Sequence, residues 1–151
     1  MTNLDNFDQR ILELLQSDGR MTITDLSNQI GLSNTPCLKR VQKLEAAGYI
    51  KGYKAIINHD LINNNHIAFV QIKLNDTKTM ALNAFNKAIK EVPEVEQCHM
   101  IASNFDYLVK VRTENMESYR KVLGEKISAL PHVQNSSTIV VMEEVVTSRY
   151  T

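Results

Sequence analysis

Basic side chains are concentrated in one short stretch of the chain, residues 33–54. This stretch carries five basic residues and one acidic residue, a net charge of +4, whereas the whole chain has 17 basic and 17 acidic residues and a formal net charge of zero. Only the local distribution of charge can therefore favour a polyanionic partner. Lys39 and Lys43 are i, i+4 neighbours, so we expect them to lie on one face of a helix with Arg40 beside them.

The same predicted helix has an apolar stripe and a polar N-terminus. Leu38, Val41 and Leu44 are spaced to share a face that lies roughly opposite the basic residues, so we expect this stripe to pack and the basic face to stay outside. A helix face with cations and hydroxyl groups suits the DNA major groove, and the helix N-terminus suits a phosphate. Thr35, Lys39 and Arg40 are the candidates for base edges, and two later lysines are candidates for the DNA backbone. The predicted DNA contacts are Ser33, Asn34, Thr35, Pro36, Lys39, Arg40, Lys43, Lys51 and Lys54.

Two further helices position that face. The first begins near Asp5 and ends near Gly19, and the second begins at Thr22 and ends at Gly31, with Ser33 as the predicted N-cap of the third. Only three residues separate the second helix from the third, which forces a sharp crossing. This connection favours DNA binding over the alternative that the basic face is merely solvated. The β-rich residues after the third helix, YIKGYKAII, are predicted to form a wing that carries the two later lysines.

The second half of the chain alternates between strands and helices. After a polar linker, residues 58–66, the apolar alternation in 67–74 predicts a strand with Ala68, Val70 and Ile72 on one face. The following elements give the order β-α-β-β-α-β, with strands at 95–101, 107–111 and 138–146 and helices that end before Pro93 and Pro131. This is the order of a ferredoxin-like unit. We therefore predict an α+β fold, with a winged helix-turn-helix unit in residues 1–62 and a ferredoxin-like unit in residues 63–151.

The composition argues against several other classes of protein. Cys37 and Cys98 lie in dissimilar contexts, so we expect no disulfide and a reducing cytoplasm. The four histidines show no metal-ligand spacing with either cysteine. No apolar run approaches the length of a membrane span, and the first residues do not resemble a secretory signal. Cys98 precedes His99, but neighbouring strand residues point to opposite faces and do not readily form a nucleophile–base pair. We expect neither an enzyme nor a cofactor.

Several separated motifs resemble one family. Residues 19–53, GRMTITDLSNQIGLSNTPCLKRVQKLEAAGYIKGY, resemble the helix-turn-helix of the Lrp/AsnC, or feast/famine, regulators. Residues 98–112, CHMIASNFDYLVKVR, and 138–145, TIVVMEEV, resemble the effector half. The resemblance spans nearly the whole chain. It implies a sequence-specific, DNA-binding transcriptional regulator of amino-acid metabolism, and a homodimer that assembles further into an octamer. It also implies a leucine-like amino acid bound between dimers, near the FDY turn. The effector residues implied are Ser103, Asn104, Phe105, Asp106, Tyr107, Met116, Val140 and Val141.

The implied effector chemistry has two open points. Asp106 is a candidate acceptor for the ammonium group of an amino acid, with backbone N–H groups of 102–105 for its carboxylate. The alternative is that Asp106 only caps the turn and that the apolar effector residues belong to the core. Ser103 also stands where members of the family usually carry glycine, and serine resists positive φ. An effector-independent, architectural DNA-binding protein of the same family is therefore the second function considered.

Overall fold

The structure, a computed structural model, describes residues 4–146. Residues 4–56 belong to one compact unit and residues 57–145 to another, and each has its own core. The outer ends of the two predicted domains, 1–3 and 147–151, lie outside the described residues. The predicted boundary after residue 62 stays a prediction.

The first unit is a bundle of three short helices. These are α1 (Asn6–Ser17), α2 (Ile23–Ile30) and α3 (Asn34–Ala46). The predicted N-terminal caps of α1 and α2 are confirmed, because side-chain oxygens of Asp5 and Thr22 accept bonds from the backbone N–H groups of Asp8 and Asp25. Ser33 is the N-cap of α3 by backbone geometry, but its side chain makes no capping hydrogen bond.

The buried face of α3 differs from the predicted one. Cys37 is fully buried, together with Val41 and Leu44, whereas Leu38 is 41% exposed. The prediction that Leu38 belongs to the packed stripe is therefore wrong. Cys37, Val41 and Leu44 are spaced i, i+4, i+7, which centres the packed face about 100° around the helix from Leu38. The resulting core also includes Ile11.

The predicted wing is extended but forms no strand. None of residues 49–57 is assigned to a sheet. A strand gains its stability from pairing with a neighbour, and the described residues of this unit contain no second strand. The segment is held to α3 instead. The backbone N–H groups of Tyr49 and Ile50 donate to the Leu44 carbonyl, and the Tyr53 hydroxyl donates to Glu45 Oε1 at 3.0 Å. Lys51 and Lys54 are exposed on it, as a wing contact to DNA would require.

The second unit has the predicted β-α-β-β-α-β order. Its elements are β1 (His66–Leu74), α4 (Thr79–Ile89), β2 (Val95–Met100), β3 (Tyr107–Thr113), α5 (Met116–Lys121) with a π-helical continuation (Val122–Ile127), and β4 (Val133–Val140). The sheet order β2-β3-β1-β4 is antiparallel throughout, which is the ferredoxin-like arrangement. No helix within residues 4–146 has the length and apolar character needed to cross a bilayer.

Two elements depart from their predicted form. The last strand begins at Val133 and ends at Val140, because its ladder with β1 runs from Leu74 to Ala68. The second helix of the unit finishes as a π-helix, in which the Ser128 N–H donates to the Leu123 carbonyl five residues earlier. A wider turn changes which residues face the core, so the buried residues are Tyr119, Val122 and Ile127.

The core of the second unit lies between the helices and one face of the sheet. Ala68, Val70, Ile72 and Leu74 of β1 are all buried, which confirms the predicted alternation. Phe85 of α4 is completely buried against the ring of Tyr107, with ring centroids 4.4 Å apart. This contact fixes α4 over the start of β3, next to the turn that precedes it.

Candidate DNA-binding surface and effector site

The outward face of α3 carries the predicted basic residues. Thr35, Lys39 and Lys43 follow one another at i, i+4, i+8, and all three are exposed. Leu38 and Gln42 are exposed on the same helix and were not predicted as contacts. Glutamine can read adenine and an aliphatic side chain can contact a thymine methyl group. The i+3 spacing of Gln42 from Lys39 was the one signal in the sequence for it.

Arg40 does not lie on this outward face. One of its terminal nitrogens is 2.6 Å from Asp8 Oδ1 and 2.7 Å from Asp5 Oδ2, and its guanidinium carbon lies 5.2 Å from the centre of the Phe7 ring. The prediction that Arg40 points outward with Lys39 is wrong. Arg40 follows Cys37 by three residues and directly precedes a buried valine, so it lies at the edge of the packed face.

Arg40 and Asp5 stabilise each other's charge. Hydrogen bonds to Asp8 and Asp5 raise the pKa of Arg40. The pKa of Asp5 is lowered by the backbone N–H of Asp8 and by the Arg40 guanidinium. Asp5 and Arg40 are therefore both charged at neutral pH, and their opposite charges attract each other.

Asn34 is bound within the helix-turn-helix rather than free at its surface. The Ser27 hydroxyl lies 2.6 Å from Asn34 Oδ1, and the amide nitrogen of Asn34 donates to Thr24 Oγ1 at 3.2 Å. These bonds join α2 to the first turn of α3 and fix the angle between the helices. Ser33 and Pro36, the neighbouring predicted contacts, are exposed.

The turn before β3 is the predicted effector turn. Ser103 and Asn104 are exposed at its tip, Phe105 and Asp106 are half-buried, and Tyr107 is buried. The Tyr107 hydroxyl donates to the amide oxygen of Asn86 on α4. The tip is therefore the accessible part of the turn, and its base is anchored in the core.

Asp106 ties the turn to the end of β1. Its Oδ2 accepts from the backbone N–H of Leu74 at 2.8 Å, and its Oδ1 lies 3.1 Å from the amino group of Lys73. A carboxylate has about four acceptor positions, and these contacts use two. Asp106 thus has a structural role and retains acceptor positions for a ligand.

The predicted effector residues lie at two ends of the sheet. Tyr107 pairs with Ile72 on β1, whereas Val140 pairs with Ala68, four residues away and so about 13 Å along the strand. Met116 follows the far end of β3, which is the end of the sheet where β4 finishes at Val140, and Val141 is the residue after Val140. A single protomer therefore does not bring the whole set together.

A groove of about 530 Å³ lies between α4 and the edge strand β2. Its wall includes Tyr107 but no other predicted effector residue. Cys98 lies in this wall, and burial raises the pKa of its thiol. The groove is lined by Asn86, Ile89, Lys90, Val95, Glu96, Gln97, Cys98, Met100 and Tyr107.

Four charged residues lie on the sheet face opposite the helices. Glu144 Oε1 is 2.8 Å from the amino group of Lys110, and Glu96 Oε1 is 2.5 Å from Arg112 Nε. The Lys110 and Arg112 side chains are only 14% and 7% exposed. Burial alone would raise the pKa of Glu96, but Arg112 and Lys110 outweigh it and lower the pKa. The pKa of Glu144 is lowered chiefly by Lys110.

Acid is expected to destabilise the second unit through this cluster. The folded-state pKa values of Glu96 and Glu144 lie below the ordinary value of 4.5, so their contribution is complete above pH 4.5 and is lost as pH falls through the lowered values. The measurement is the free energy of unfolding of the second unit, obtained from urea unfolding between pH 3 and 7 at fixed protein concentration. The NMR amide peaks of β1 report the unfolding. We expect Glu144→Gln to show a shallower fall in the free energy of unfolding with acid, and an identical fall would contradict the prediction.

Two family models match the chain. The model of the Lrp/AsnC ligand binding domain matches residues 67–151, and a winged helix-turn-helix DNA-binding model matches residues 4–51. Among curated proteins, the chain is 53% identical to a proline dehydrogenase transcriptional activator of Rhizobium radiobacter, over 95% of this chain and 92% of that protein. It is 44% identical to the leucine-responsive regulatory protein of Escherichia coli K12, over 95% of this chain and 87% of that protein.

Solved structures of similar proteins have the same fold. A transcriptional regulator from Neisseria meningitidis, in complex with L-Met, superposes with a TM-score of 0.88 at 28% identity and covers 99% of this chain and 96% of its own. An AsnC family transcriptional regulator from Agrobacterium tumefaciens also superposes with a TM-score of 0.88 at 28% identity, over 97% of this chain and 95% of its own.

Proposed function

Because the chain belongs to the Lrp/AsnC family of transcriptional regulators, we propose that it binds double-stranded DNA through α3 and that a small amino acid changes this binding. The observation that carries the proposal is the exposed Thr35, Lys39 and Lys43 face of α3, opposite its buried face. In this role the chain needs neither catalysis nor a cofactor besides the amino acid, and it acts in the cytoplasm.

The proposed DNA contacts fall into two groups. Thr35 faces the major groove with the newly identified Leu38 and Gln42, which reach base edges, and Lys39 on the same face reaches both a base edge and a neighbouring phosphate. The second group contacts phosphates, which position the protein without reading sequence. It consists of Ser33 at the start of α3, Lys43 on its outward face, and Lys51 and Lys54 on the segment that follows. Pro36 has no N–H to donate, so it adds only a nonpolar contact beside Ser33. Asn34 acts indirectly, through the bonds that join α2 to α3.

The proposed effector is a small amino acid with an aliphatic side chain. Two similar proteins support this proposal: the relative named leucine-responsive regulatory protein, and the regulator whose structure was solved in complex with L-Met. Asp106 retains acceptor positions for an ammonium group, and the exposed tip at Ser103 and Asn104 gives access to the turn. The other proposed residues are Phe105 and Tyr107 in the turn and Met116, Val140 and Val141 at the far end of the sheet.

The separation of these residues supports a site shared between protomers. We propose a homodimer that assembles into an octamer, in which the effector turn of one protomer faces the Met116 and Val140 end of another. Exposed apolar side chains at that end fit an assembly, since Ile139 and Val140 are 49% and 43% exposed and Met142 is fully exposed.

A second candidate function is an effector-independent architectural protein of the same family. Ser103 favours it, because serine at the usual glycine position resists the close approach of a ligand to the backbone. The engagement of Asp106 by Lys73 and Leu74 favours it too. The two candidates differ only in their response to amino acids.

DNA binding that falls with salt and responds to an amino acid is the expected result. Fluorescence anisotropy on duplex DNA from upstream of the protein's own gene, between 50 and 200 mM salt, measures the affinity with and without each of the twenty amino acids. Six or more phosphate contacts would lower the affinity roughly 10³-fold or more over this range. An effector would change the affinity by roughly 5- to 150-fold.

Each outcome separates the candidates. Affinity that does not change with salt excludes phosphate contact by α3 and with it the proposed function. Salt-dependent binding that no amino acid alters, together with a size-exclusion profile that no amino acid shifts, supports the architectural protein instead.

A further inference from the structure

We propose that Arg40 is a positioning residue for DNA binding, which clamps α3 onto the first turn of α1 and contacts neither a base nor a phosphate. This inference rests on the proposed function, because it assumes that α3 binds DNA. Arg40 follows Lys39 in the sequence and was therefore predicted to contact DNA, and the inference excludes it from the DNA interface.

The clamp joins residues that are distant in sequence. Arg40 lies near the middle of α3, and its carboxylate partners, Asp5 and Asp8, lie 35 and 32 positions earlier. Asp5 has two roles at once, since Oδ1 accepts the capping bond from the Asp8 N–H at 2.8 Å while Oδ2 accepts from Arg40. The Phe7 ring stacks near the guanidinium group on the same turn. One contact thus couples the start of α1 to the orientation of α3.

Burial makes it unfavourable for Arg40 to leave the clamp. The Asp8 side chain is 7% exposed, so without Arg40 it would be a buried carboxylate that has lost its nearby cation. A phosphate at the protein surface offers Arg40 a contact that water and salt weaken. The interaction of Arg40 with the buried Asp8 is therefore stronger than its interaction with an exposed phosphate, and Arg40 stays in the clamp when DNA binds.

The position of Arg40 explains how it acts on binding. Lys39 is its immediate neighbour and Lys43 lies three residues on, both on the outward face. Base contacts tolerate misplacement of about 0.5 Å only. Loosening the clamp lets α3 shift on α1, which displaces the base-reading side chains of α3 from base edges but leaves the charges of Lys39 and Lys43 near the DNA backbone. Specific binding should therefore suffer and non-specific binding should not.

The test uses Asp8→Asn, for which the two roles of Arg40 predict opposite results. If Arg40 contacted phosphate, loss of the Asp8 charge would free it and strengthen binding. If Arg40 is a clamp, Asp8→Asn weakens binding to a specific duplex roughly 5- to 150-fold, the cost of about one base contact. Arg40→Met should weaken it as much, and the double variant should cost no more than either single variant.

The full-length protein is measured on two duplexes. One is the tightest-binding duplex that the wild type selects from a random pool, and the other is a scrambled duplex of the same composition. Arg40→Met should keep the wild-type slope of log affinity against log salt on the scrambled duplex. Lys39→Met is the matched control, and it should make that slope shallower by about 0.9 for each protomer bound to the duplex. Asp5→Asn is a milder variant, because asparagine still caps α1.

Each result supports or overturns the inference. A shallower salt slope for Arg40→Met, or tighter binding by Asp8→Asn, makes Arg40 a phosphate contact. Variants that lower the free energy of unfolding but keep the wild-type ratio of specific to scrambled affinity, measured where circular dichroism shows them folded, make Arg40 merely structural. If Arg40→Met does not fold, Asp5→Asn and Asp8→Asn decide the question. A wild type that selects no duplex refutes the proposed function instead.

Discussion

Replacing Lys39 and Lys43 together with methionine is expected to weaken DNA binding about 60-fold at 0.1 M salt for each protomer that contacts the DNA. Each phosphate contact contributes about 0.9 to the slope of log affinity against log salt, because binding releases condensed counterions. Loss of two contacts makes the slope shallower by about 1.8 for each bound protomer, which between 1 M and 0.1 M salt is a factor of roughly 60 in affinity per protomer. Methionine keeps an unbranched chain and good helix propensity, so α3 itself should persist. Anisotropy titrations from 0.1 to 0.5 M salt measure the affinity at 0.1 M salt and the slope of log affinity against log salt.

A matched control removes the same charge elsewhere. Lys87 and Lys90 are exposed on or next to α4 in the second unit, and Lys87→Met with Lys90→Met should leave the slope within about 0.5 of wild type. An equal loss in both double variants would mean that overall charge, rather than the outward face of α3, governs binding. A normal slope for the Lys39 and Lys43 variant would remove α3 from the interface.

Phe85→Ala is expected to lower the free energy of unfolding of the second unit by about 3–5 kcal/mol. Phe85 is completely buried and its ring lies against Tyr107, so truncation removes apolar contact and leaves a cavity between α4 and the sheet. The cores of the two units share no residue, so the helices of the first unit should unfold at their wild-type midpoint. Urea unfolding is measured at fixed protein concentration by NMR. The amide peaks of β1 report the second unit and those of α3 report the first, so the two unfolding midpoints are obtained separately.

Met80→Ala is the control for this prediction, because Met80 is a large apolar residue on the same helix but is 86% exposed. It should change the free energy of unfolding by no more than about 0.5 kcal/mol. Loss of less than about 1 kcal/mol in Phe85→Ala would contradict the packing described for α4. A matching loss in the first unit would contradict the separation of the two cores.

Much of the fold followed from short-range patterns in the sequence. The caps at Asp5 and Thr22 were predicted because capping bonds join residues three positions apart. The alternation in β1 and the ferredoxin-like order were predicted for the same reason, since periodicity is a local property. The π-helical end of α5 and the strand that begins at Val133 were missed, because both depend on packing against the rest of the sheet.

The candidate sites were only partly predictable. Lys39 and Lys43 were placed correctly, because helical spacing alone puts them on one face. Their neighbour Arg40 was misplaced, and the error of placing Leu38 in the packed stripe follows from the same uncertainty. A rotation of about 100° separates adjacent helical residues, so the edge of a face is where periodicity is least informative.

The sequence by itself determined the family, the order of the helices and strands, and the basic character of α3. Each of these depends on residues that are close together along the chain. Only the tertiary structure decided that Arg40 is held by Asp5 and Asp8, that Asp106 is held by Lys73 and Leu74, and that Met116 lies far from the effector turn. These partners are separated by some thirty residues or lie on opposite ends of a sheet. Which distant groups meet is set by how the whole core packs, and local patterns carry no information about it.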